Sequence, residues 1–209
     1  MITIALYSMK GGVGKTAATV NLAHLASLDG FRTLICDLDP QGASSWYFRI
    51  RAGKNFNSNK FIKGGRSIDE YDYLFLDCPP GISLVSENIL NAADVVLVPL
   101  VPTPLSVLTF EKLGTFLDKK EFDAAKIYPF FSMAERRKSL HLETMDKLSA
   151  ENRNVLASVI PYRSEVERMG VYREPLTANT PGSFSAKAYA ALWTEVKELT
   201  TGNLRESYG

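Results

Sequence analysis

A glycine-rich turn near the start of the chain limits what this sequence can fold into. An apolar run, Ile-Thr-Ile-Ala-Leu-Tyr at residues 2–7, leads into Lys-Gly-Gly-Val-Gly-Lys-Thr at residues 10–16, and a helical pattern follows. A strand that ends in such a turn and opens into a helix presents a row of backbone N–H groups to a polyphosphate. Glycines at positions 11, 12 and 14 permit backbone conformations and a close approach that a Cβ would block. The sequence therefore predicts a loop that binds nucleotide phosphates.

Two side chains of this loop suit further tasks at a nucleotide. Lys15 can reach the terminal phosphates, and the hydroxyl of Thr16 can hold Mg²⁺. We expect the loop to contact the nucleotide through Gly11, Gly12, Val13, Gly14, Lys15, Thr16 and Ala17.

Apolar runs and helical patterns alternate along the rest of the chain. We predict strands at Ile2–Ser8, Thr33–Leu38, Tyr73–Asp77, Val95–Leu100, Ile127–Phe131 and Val155–Ile160. Predicted helices are Gly14–Leu28, Leu84–Ala92, Ser106–Asp118, Leu140–Ala150 and a last helix whose apolar face is Phe184, Ala188, Leu192, Val196 and Leu199. This alternation is typical of a parallel sheet covered on both faces. We therefore predict the α/β class, with a three-layer P-loop NTPase fold, a mostly parallel sheet and a single domain over residues 1–209.

The composition excludes several classes of protein. The 209 residues carry 24 basic and 23 acidic side chains, so no global field directs the chain to nucleic acid or to an anionic membrane. Cys36 and Cys78 lie in separate apolar runs without metal-ligand spacing, and we expect reduced thiols. No apolar stretch approaches the roughly 20 residues that span a bilayer. The first strand begins at once, so we expect no signal peptide and a cytoplasmic protein.

Two acidic motifs follow predicted strands. The first, Asp-Leu-Asp-Pro-Gln-Gly, occupies residues 37–42, and the second, Asp-Cys-Pro-Pro-Gly, occupies residues 77–81. Ligands of an open α/β sheet bind beyond the carboxyl ends of its strands, so both motifs should meet the phosphate loop. We expect Asp77 to bind Mg²⁺ directly or through water, and Asp39 to orient the attacking water. The N–H of Gly81 could sense the γ-phosphate.

The loop departs from the common pattern G-x-x-x-x-G-K-[ST], because Met9 stands where the first glycine would fall and Lys10 adds a second lysine. With the two acidic motifs after it, the form K-G-G-x-G-K-T resembles the deviant Walker A motif of the ParA/MinD family of P-loop ATPases. The resemblance implies that ATP or ADP binds with Mg²⁺, and that two subunits sandwich the nucleotides. It also implies that Lys10 reaches the partner's phosphates, so that Lys10, Lys15 and Asp39 act in catalysis. By the same resemblance, Ser132, Met133, Pro161 and Tyr162 lie near the base.

Within the resembling family, the function depends on what surrounds the ATPase core. The phosphate loop begins the chain, so we expect no N-terminal DNA-reading domain. The tail at residues 200–209 lacks the basic amphipathic helix of membrane-bound members, and neither cysteine is placed to hold a cluster. We expect a small ParA-type partition ATPase of bacterial cytoplasm, associated with the nucleoid. Two alternatives stay open: a P-loop metabolic synthetase, and an ATPase that positions a protein cargo.

If the chain is a partition ATPase of this family, the resemblance implies that its ATP-bound dimer binds DNA non-specifically. It also implies that its slow hydrolysis is stimulated by a ParB-like partner. DNA phosphates need only basic patches that align on one face. A first cluster is Arg49, Arg51, Lys54, Lys60, Lys63 and Arg66, a second is Arg136, Arg137 and Lys138, and a third is Arg163, Arg168 and Arg173. Because a charge run is most often a solvated face, each cluster alone is a weak signal.

Overall fold

Six parallel strands form the sheet at the centre of the computed structural model, which describes residues 1–40, 42–47 and 70–206. The strands are β1 Ile2–Leu6, β2 Thr33–Asp37, β3 Tyr73–Asp77, β4 Val95–Leu100, β5 Ile127–Ala134 and β6 Val159–Pro161. Their order across the sheet is β2-β3-β1-β4-β5-β6, and each neighbouring pair in it is parallel.

The helices lie between and after these strands. Their bounds are α1 Lys15–Leu28, α2 Ala43–Tyr47, α3 Leu84–Ala92, α4 Pro104–Lys119, α5 Ser139–Glu151, α6 Ser164–Glu167, α7 Met169–Tyr172, α8 Leu176–Asn179 and α9 Phe184–Glu206. Side chains of Ser83 and Thr103 cap α3 and α4 by accepting backbone N–H groups of the first turn. A short 3-10 turn, Ala124–Lys126, precedes β5.

Side chains alternate between two apolar cores, one on each face of the sheet. Ile4 and Leu6 of β1 pack into the core formed with α1 and α9. Ala5 and Tyr7 point to the opposite face, where α3, α4 and α5 complete the second core. Successive residues of a strand face opposite sides of a sheet, so central strands covered on both sides must be apolar throughout. The three-layer α/β fold predicted from the sequence is confirmed.

The sheet brings the predicted motifs to one edge. β1 lies between β3 and β4, and Leu6 at the end of β1 pairs in register with Asp77 at the end of β3. Asp77 is in turn level with Asp37 at the end of β2. The turn after β1 therefore lies beside both acidic motifs, as the topology of an open parallel sheet requires.

The main differences from the predicted elements lie after β5. That strand continues to Ala134, whereas β6 begins only at Val159 rather than at Val155. Before β6, the N–H of Leu156 donates to the carbonyl of Pro129 (2.8 Å), and Leu156 is buried although it is not in a strand. An apolar run cannot distinguish a strand from a buried loop of this kind. The short helices α6, α7 and α8 were not predicted, because four residues carry no helical period.

Both cysteines are free thiols, as expected; Cys78 is fully buried and Cys36 is half-buried. Burial raises the pKa of the Cys78 thiol to about 12. In the part of the chain described here, no helix is long and apolar enough to cross a membrane. The single domain over residues 1–209 stays a prediction.

Candidate nucleotide site

The turn after β1 adopts the backbone that its glycines allow. Gly12 and Gly14 have φ angles of 72° and 92°, in the left-handed region that disfavours other side chains. A Cβ on Gly14 would also lie 2.7 Å from the Oγ of Ser132. The carbonyl of Gly14 then accepts the first helical hydrogen bond of α1, from the N–H of Ala18 (3.0 Å). Position 14 therefore requires glycine for two separate reasons.

Lys15 opens α1 and turns its ammonium back over the loop. Its Nζ lies 3.5 Å from the carbonyl oxygen of Lys10, and the residue is only 7% exposed. Burial lowers the pKa of the Lys15 ammonium, and the nearby carboxylates Asp77 and Asp39 oppose that shift. An ammonium held in this way, at the wall of an open pocket, favours a bound anion.

Asp77 is fully buried at the end of β3. The hydroxyl of Ser44 donates to its Oδ2 at 2.6 Å, and the hydroxyl of Thr16 lies beside the same carboxylate. Among the described residues, its other oxygen, Oδ1, has no hydrogen-bond partner. Burial raises the pKa of Asp77, whereas the hydroxyls of Ser44 and Thr16 act to lower it.

The residues around Asp77 fit Mg²⁺. A buried carboxylate oxygen without a hydrogen-bond partner is costly. Such an oxygen is a preferred ligand of a hard cation. Thr16 brings a hydroxyl to the same carboxylate. Within the described ranges, no group of three or more His, Cys, Asp or Glu side chains converges, so this part of the chain forms no closed protein cage for Mg²⁺. Mg²⁺ completes its shell with waters and nucleotide phosphates, which suits such a site.

A pocket of about 360 Å³ opens beside the loop, within the size range of small-molecule sites. Its lining extends from the phosphate loop to the ends of β5 and β6. The predicted site residues that line it are Gly11, Gly12, Gly14, Lys15, Thr16, Ala17, Asp39, Ser132, Met133, Pro161 and Tyr162. A single cavity thus brings together predicted residues that are about 150 positions apart in the sequence, as a nucleotide site demands.

The remaining predicted residues lie around this pocket without lining it. Val13, within the loop, is buried, and Asp77 is fully buried at the end of β3. The N–H of Gly81 donates to the carbonyl of Ser8 (3.3 Å), so a contact from this N–H to a γ-phosphate requires that bond to open. The hydroxyl of Tyr7 donates to the Gly81 carbonyl (3.2 Å).

Lys10 begins the loop and is half-buried. Its backbone N–H donates to the Oγ of Ser8 (3.2 Å), which fixes the start of the turn. Within residues 1–40, 42–47 and 70–206, the structure gives the Lys10 ammonium neither a hydrogen bond nor an ion pair. This lysine therefore differs from Lys15, whose ammonium already contacts the loop.

The end of the pocket at which we predict the base is built from β5 and β6, at one edge of the sheet. Met133 has a φ of 55°, which turns the chain where β5 passes the phosphate loop. Pro161 ends β6 and is half-buried, and Tyr162 follows it with 47% of its surface exposed. The hydroxyl of Tyr162 donates to Oε1 of Glu167 (3.1 Å), which holds the ring at the pocket's rim.

Sequence reasoning did not assign several lining residues to this site. They are Tyr47, Pro80, Ile160, Arg163, Val166, Glu167 and Tyr189. Pro80 lies inside the second acidic motif and could have been found there. Val166 and Glu167 lie on the four-residue helix α6, and Tyr189 lies on α9, where burial in the core explains it equally well.

Two of the basic clusters meet beside the nucleotide pocket. Arg136, Arg137 and Arg163 line a neighbouring surface pocket of about 400 Å³, together with the aromatic rings of Tyr162 and Phe184. The guanidinium of Arg163 lies 5.6 Å from the centre of the Phe184 ring. The first predicted cluster, at residues 49–66, lies outside the described residues.

The fold and the site define a P-loop nucleotide-binding protein. The chain belongs to the CobQ/CobB/MinD/ParA nucleotide-binding domain family, whose profile matches residues 4–176. The resemblance to ParA/MinD ATPases inferred from the loop motif is thereby confirmed, and the chain is a member of a family of P-loop partition and positioning ATPases.

Individual relatives support this placement. The chain is 35% identical to the maintenance of carboxysome distribution protein A of Gloeobacter kilaueensis over 112 residues, which cover 50% of this chain and 51% of the relative. It is 23% identical to the virulence plasmid ParA family protein pGP5-D of Chlamydia psittaci, over 94% of this chain and 95% of that protein. The structure of the septum site-determining protein MinD of Pyrococcus horikoshii, complexed with Mg-ADP, superposes with a TM-score of 0.73 at 18% identity, over 95% of this chain and 97% of the other. That likeness shows the shared fold.

Proposed function

We propose that this protein is a Mg²⁺-dependent ATP hydrolase with weak intrinsic activity that dimerises on ATP, binds DNA non-specifically and drives plasmid or chromosome partitioning. In this proposal the backbone of the loop, from Gly11 to Ala17, holds the phosphates, and Lys15 neutralises the terminal ones. Thr16 and Asp77 hold Mg²⁺, which shields the phosphate charge. The base lies against Met133, Pro161 and Tyr162.

The surroundings of the Lys10 ammonium are the observation that best supports an ATP-dependent dimer. Lys10 begins the loop, it is half-buried, and no described residue pairs with its ammonium. An ammonium in that state can attract an anion that approaches the loop from outside its own subunit. Lys15 already lies over the loop of its own subunit, so the triphosphate of a second subunit is a suitable partner for Lys10.

Phosphoryl transfer depends mainly on positioning and on compensation of charge, so a carboxylate can act without a strongly shifted pKa. Asp39 lines the pocket on the side of the phosphate loop and is the candidate for orienting the attacking water. One subunit alone leaves the transition-state charge incompletely compensated, so we expect slow hydrolysis. A ParB-like partner that completes the site would raise the rate; completion by an arginine finger is worth roughly 10³–10⁵.

The DNA surface of this proposal lies near the base end. Arg136, Arg137 and Arg163 surround one pocket, and Arg168 is exposed nearby along the chain. Non-specific binding is mainly neutralisation of phosphates, so two such surfaces on a dimer would act together. Retention on DNA would associate the protein with the bacterial nucleoid.

Light scattering of the Asp39→Ala variant tests the dimer. In saturating Mg²⁺-ATP this variant should hydrolyse too slowly to dissociate and should show twice the 23.1 kDa of one chain. Adding Lys10→Ala should return the mass to one chain while ADP binding persists, because Lys15 still holds the phosphates in cis. Lys119→Ala, at the exposed end of α4, is the matched control and should leave the dimer intact. Single chains in the Asp39→Ala variant would refute the proposal.

A gel shift on DNA of arbitrary sequence tests the cargo. The wild-type chain should bind with ATP, not with ADP or without nucleotide, and the affinity should fall steeply with salt. A metabolic synthetase needs no DNA surface and would not shift DNA in any nucleotide state.

A second candidate is an ATPase that positions a protein cargo, because one relative is named for the distribution of carboxysomes. That candidate shares the nucleotide cycle and its DNA surface. It would differ in the activating partner, so stimulation of hydrolysis by a cargo-bound protein rather than by a DNA-bound one would favour it.

A further inference from the structure

The short helix α2 connects the buried carboxylate of the site to a basic segment on the surface. Its first contact is made by Ser44, which is 1% exposed and donates its hydroxyl to Oδ2 of Asp77 at 2.6 Å. That distance is typical of a charge-assisted O–H···O⁻ bond, which is stronger than a bond between neutral groups. The position of α2 therefore depends on the charge and orientation of the Asp77 carboxylate.

The other contact of α2 is made by Trp46, two residues further on. The carbonyl of Trp46 accepts a bond from Nε of Arg173 (3.1 Å), and the Arg173 guanidinium lies 3.9 Å from the centre of the Trp46 ring. The indole N–H reaches the carbonyl of Gly170 at 3.4 Å. These contacts join α2 to the segment around α7, and they hold the guanidinium of Arg173 against Trp46.

The backbone of Arg173 adds a second sign that this arrangement is held in place. Arg173 has a φ of 55°, in the left-handed region that a non-glycine residue rarely adopts. It ends α7, and its N–H donates to the carbonyl of Met169 at 2.7 Å. When its contacts with Trp46 are lost, the guanidinium of Arg173 gains freedom, whereas the bond from its N–H to Met169 remains.

We propose that α2 couples Mg²⁺ at Asp77 to the availability of Arg173 for nucleic-acid phosphates. With Mg²⁺ held at Asp77, Oδ2 would be a poorer acceptor because the ion would share the charge of the carboxylate, and the bond from Ser44 would weaken. Movement of α2 then separates Trp46 from Arg173, and the guanidinium becomes free to bind an anion. The role of DNA in this coupling rests on the proposed function; the link between Asp77 and Arg173 does not.

The fluorescence of Trp46 tests the link without any measurement of activity. The chain has two tryptophans, and Trp193 is 3% exposed with its N–H bonded to Asp29 (2.9 Å), whereas Trp46 is 53% exposed. At saturating Mg²⁺ and a non-hydrolysable ATP analogue, acrylamide should quench the emission more strongly than in the free protein. The Trp46→Phe variant retains Trp193 and should show no change, which assigns the signal.

Three further arms of this experiment decide the mechanism. The analogue with EDTA in place of Mg²⁺ should give no response, because Asp77 then meets no cation. Ser44→Ala should lose the response at full occupancy by Mg²⁺ and the analogue, with occupancy followed by calorimetry, whereas Ser44→Thr keeps the hydroxyl and should retain it. A response without Mg²⁺, a response in saturated Ser44→Ala, or none in the saturated wild-type chain would overturn the coupling.

Salt-dependent DNA binding tests the role of Arg173. Arg173→Ala should reduce the salt slope of the ATP form by about one phosphate contact and leave any residual binding of the nucleotide-free form unchanged. Trp46→Ala should strengthen nucleotide-free DNA binding by about two- to fivefold, because the variant loses one surface cation–π contact that competes for Arg173. Trp46→Phe keeps an aromatic ring and should not strengthen this binding. Equal slopes for Arg173→Ala and wild type in ATP would overturn this role. A wild-type chain that never binds DNA would refute the proposed function, while the Trp46 response still decides the coupling.

Discussion

The two ends of the nucleotide pocket are built differently. The phosphate end lies at the middle of the sheet, where Lys15 is 7% exposed and Asp77 is fully buried. The end that we propose for the base lies toward the β6 edge, where Tyr162 is 47% exposed and Pro161 is half-buried. One end is made of charges removed from water, and the other of apolar surface that water still reaches.

This difference teaches where substitutions should matter. Charges interact more strongly when water is excluded, so each side chain at the phosphate end is tightly constrained. At the base end, contacts with a flat ring tolerate many side chains, and backbone groups can read the base. We therefore expect the effects of substitutions to fall from the first end to the second.

Removal of the buried lysine should have the largest effect. Lys15→Ala should weaken ATP binding by about 100-fold or more, because a buried phosphate charge then lacks its partner. Calorimetry with ATP would measure this, with Lys119→Ala as the control for loss of a lysine at an exposed site. Unchanged affinity in Lys15→Ala would show that the backbone alone holds the phosphates, and the contrast between the two ends would disappear.

Neutralising the buried carboxylate should separate stability from function. Asp77→Asn removes a charge whose Oδ1 has no partner among the described residues, so without ligands Tm should rise by about 2–4 °C for each 1 kcal/mol gained. The same variant should lose the additional stabilisation that Mg²⁺ gives to wild type with nucleotide, which at 100 times Kd is about 2.7 kcal/mol. Thermal melts with and without Mg²⁺ measure both effects.

The stability gained by Asp77→Asn should depend on pH, and the direction of this dependence follows from the pKa of Asp77. Because burial raises the pKa of Asp77, the folded protein holds this proton at a pH where the unfolded chain has lost it. The ionised carboxylate therefore costs stability above the raised pKa, and that cost disappears as pH falls to the ordinary carboxyl range. The advantage of Asp77→Asn should be full at neutral pH and vanish in acid; a gain that is equal at all pH values would contradict the buried charge as its cause.

The smallest effect should come from the rim of the base end. Tyr162→Ala should weaken ATP binding by only about threefold, since a half-exposed ring contributes modestly. Tyr162→Phe keeps the ring and loses only the bond to Glu167, so it should bind as wild type does. Competition between ATP and other nucleoside triphosphates would measure whether this ring selects the base. A loss as large as that of Lys15→Ala would remove the proposed difference between the ends.

The sequence predicted the central sheet well and its surroundings less well. β3 and β4 have the predicted bounds, because buried parallel strands must be continuously apolar. The need for glycine at position 14 could be predicted, because other residues do not support that turn. The left-handed φ of Gly14 and the nearness of Ser132 agree with this prediction. The bond from Ser44 to Asp77 was not foreseen, since a serine in a polar segment has many roles.

The segment at residues 162–180 shows why the rest could not be predicted. Its helices α6, α7 and α8 have four residues each, which is about one helical turn. Their positions depend on tertiary contacts, such as the bond from Asn21 of α1 to the sulfur of Met169 (3.4 Å) and the bond from the N–H of Thr177 to Asn21 (3.0 Å). No local pattern encodes partners that are about 150 positions apart.

The sequence by itself determined the phosphate loop, the two carboxylates after strands and the family, because glycine turns and buried charges allow few alternatives. Only the tertiary structure decided that Oδ1 of Asp77 lacks a hydrogen-bond partner among the described residues, and that Trp46 holds the guanidinium of Arg173. These facts depend on the packing of distant segments against the edge of the sheet. A local sequence pattern specifies conformation, whereas the neighbours of a side chain follow from the whole fold.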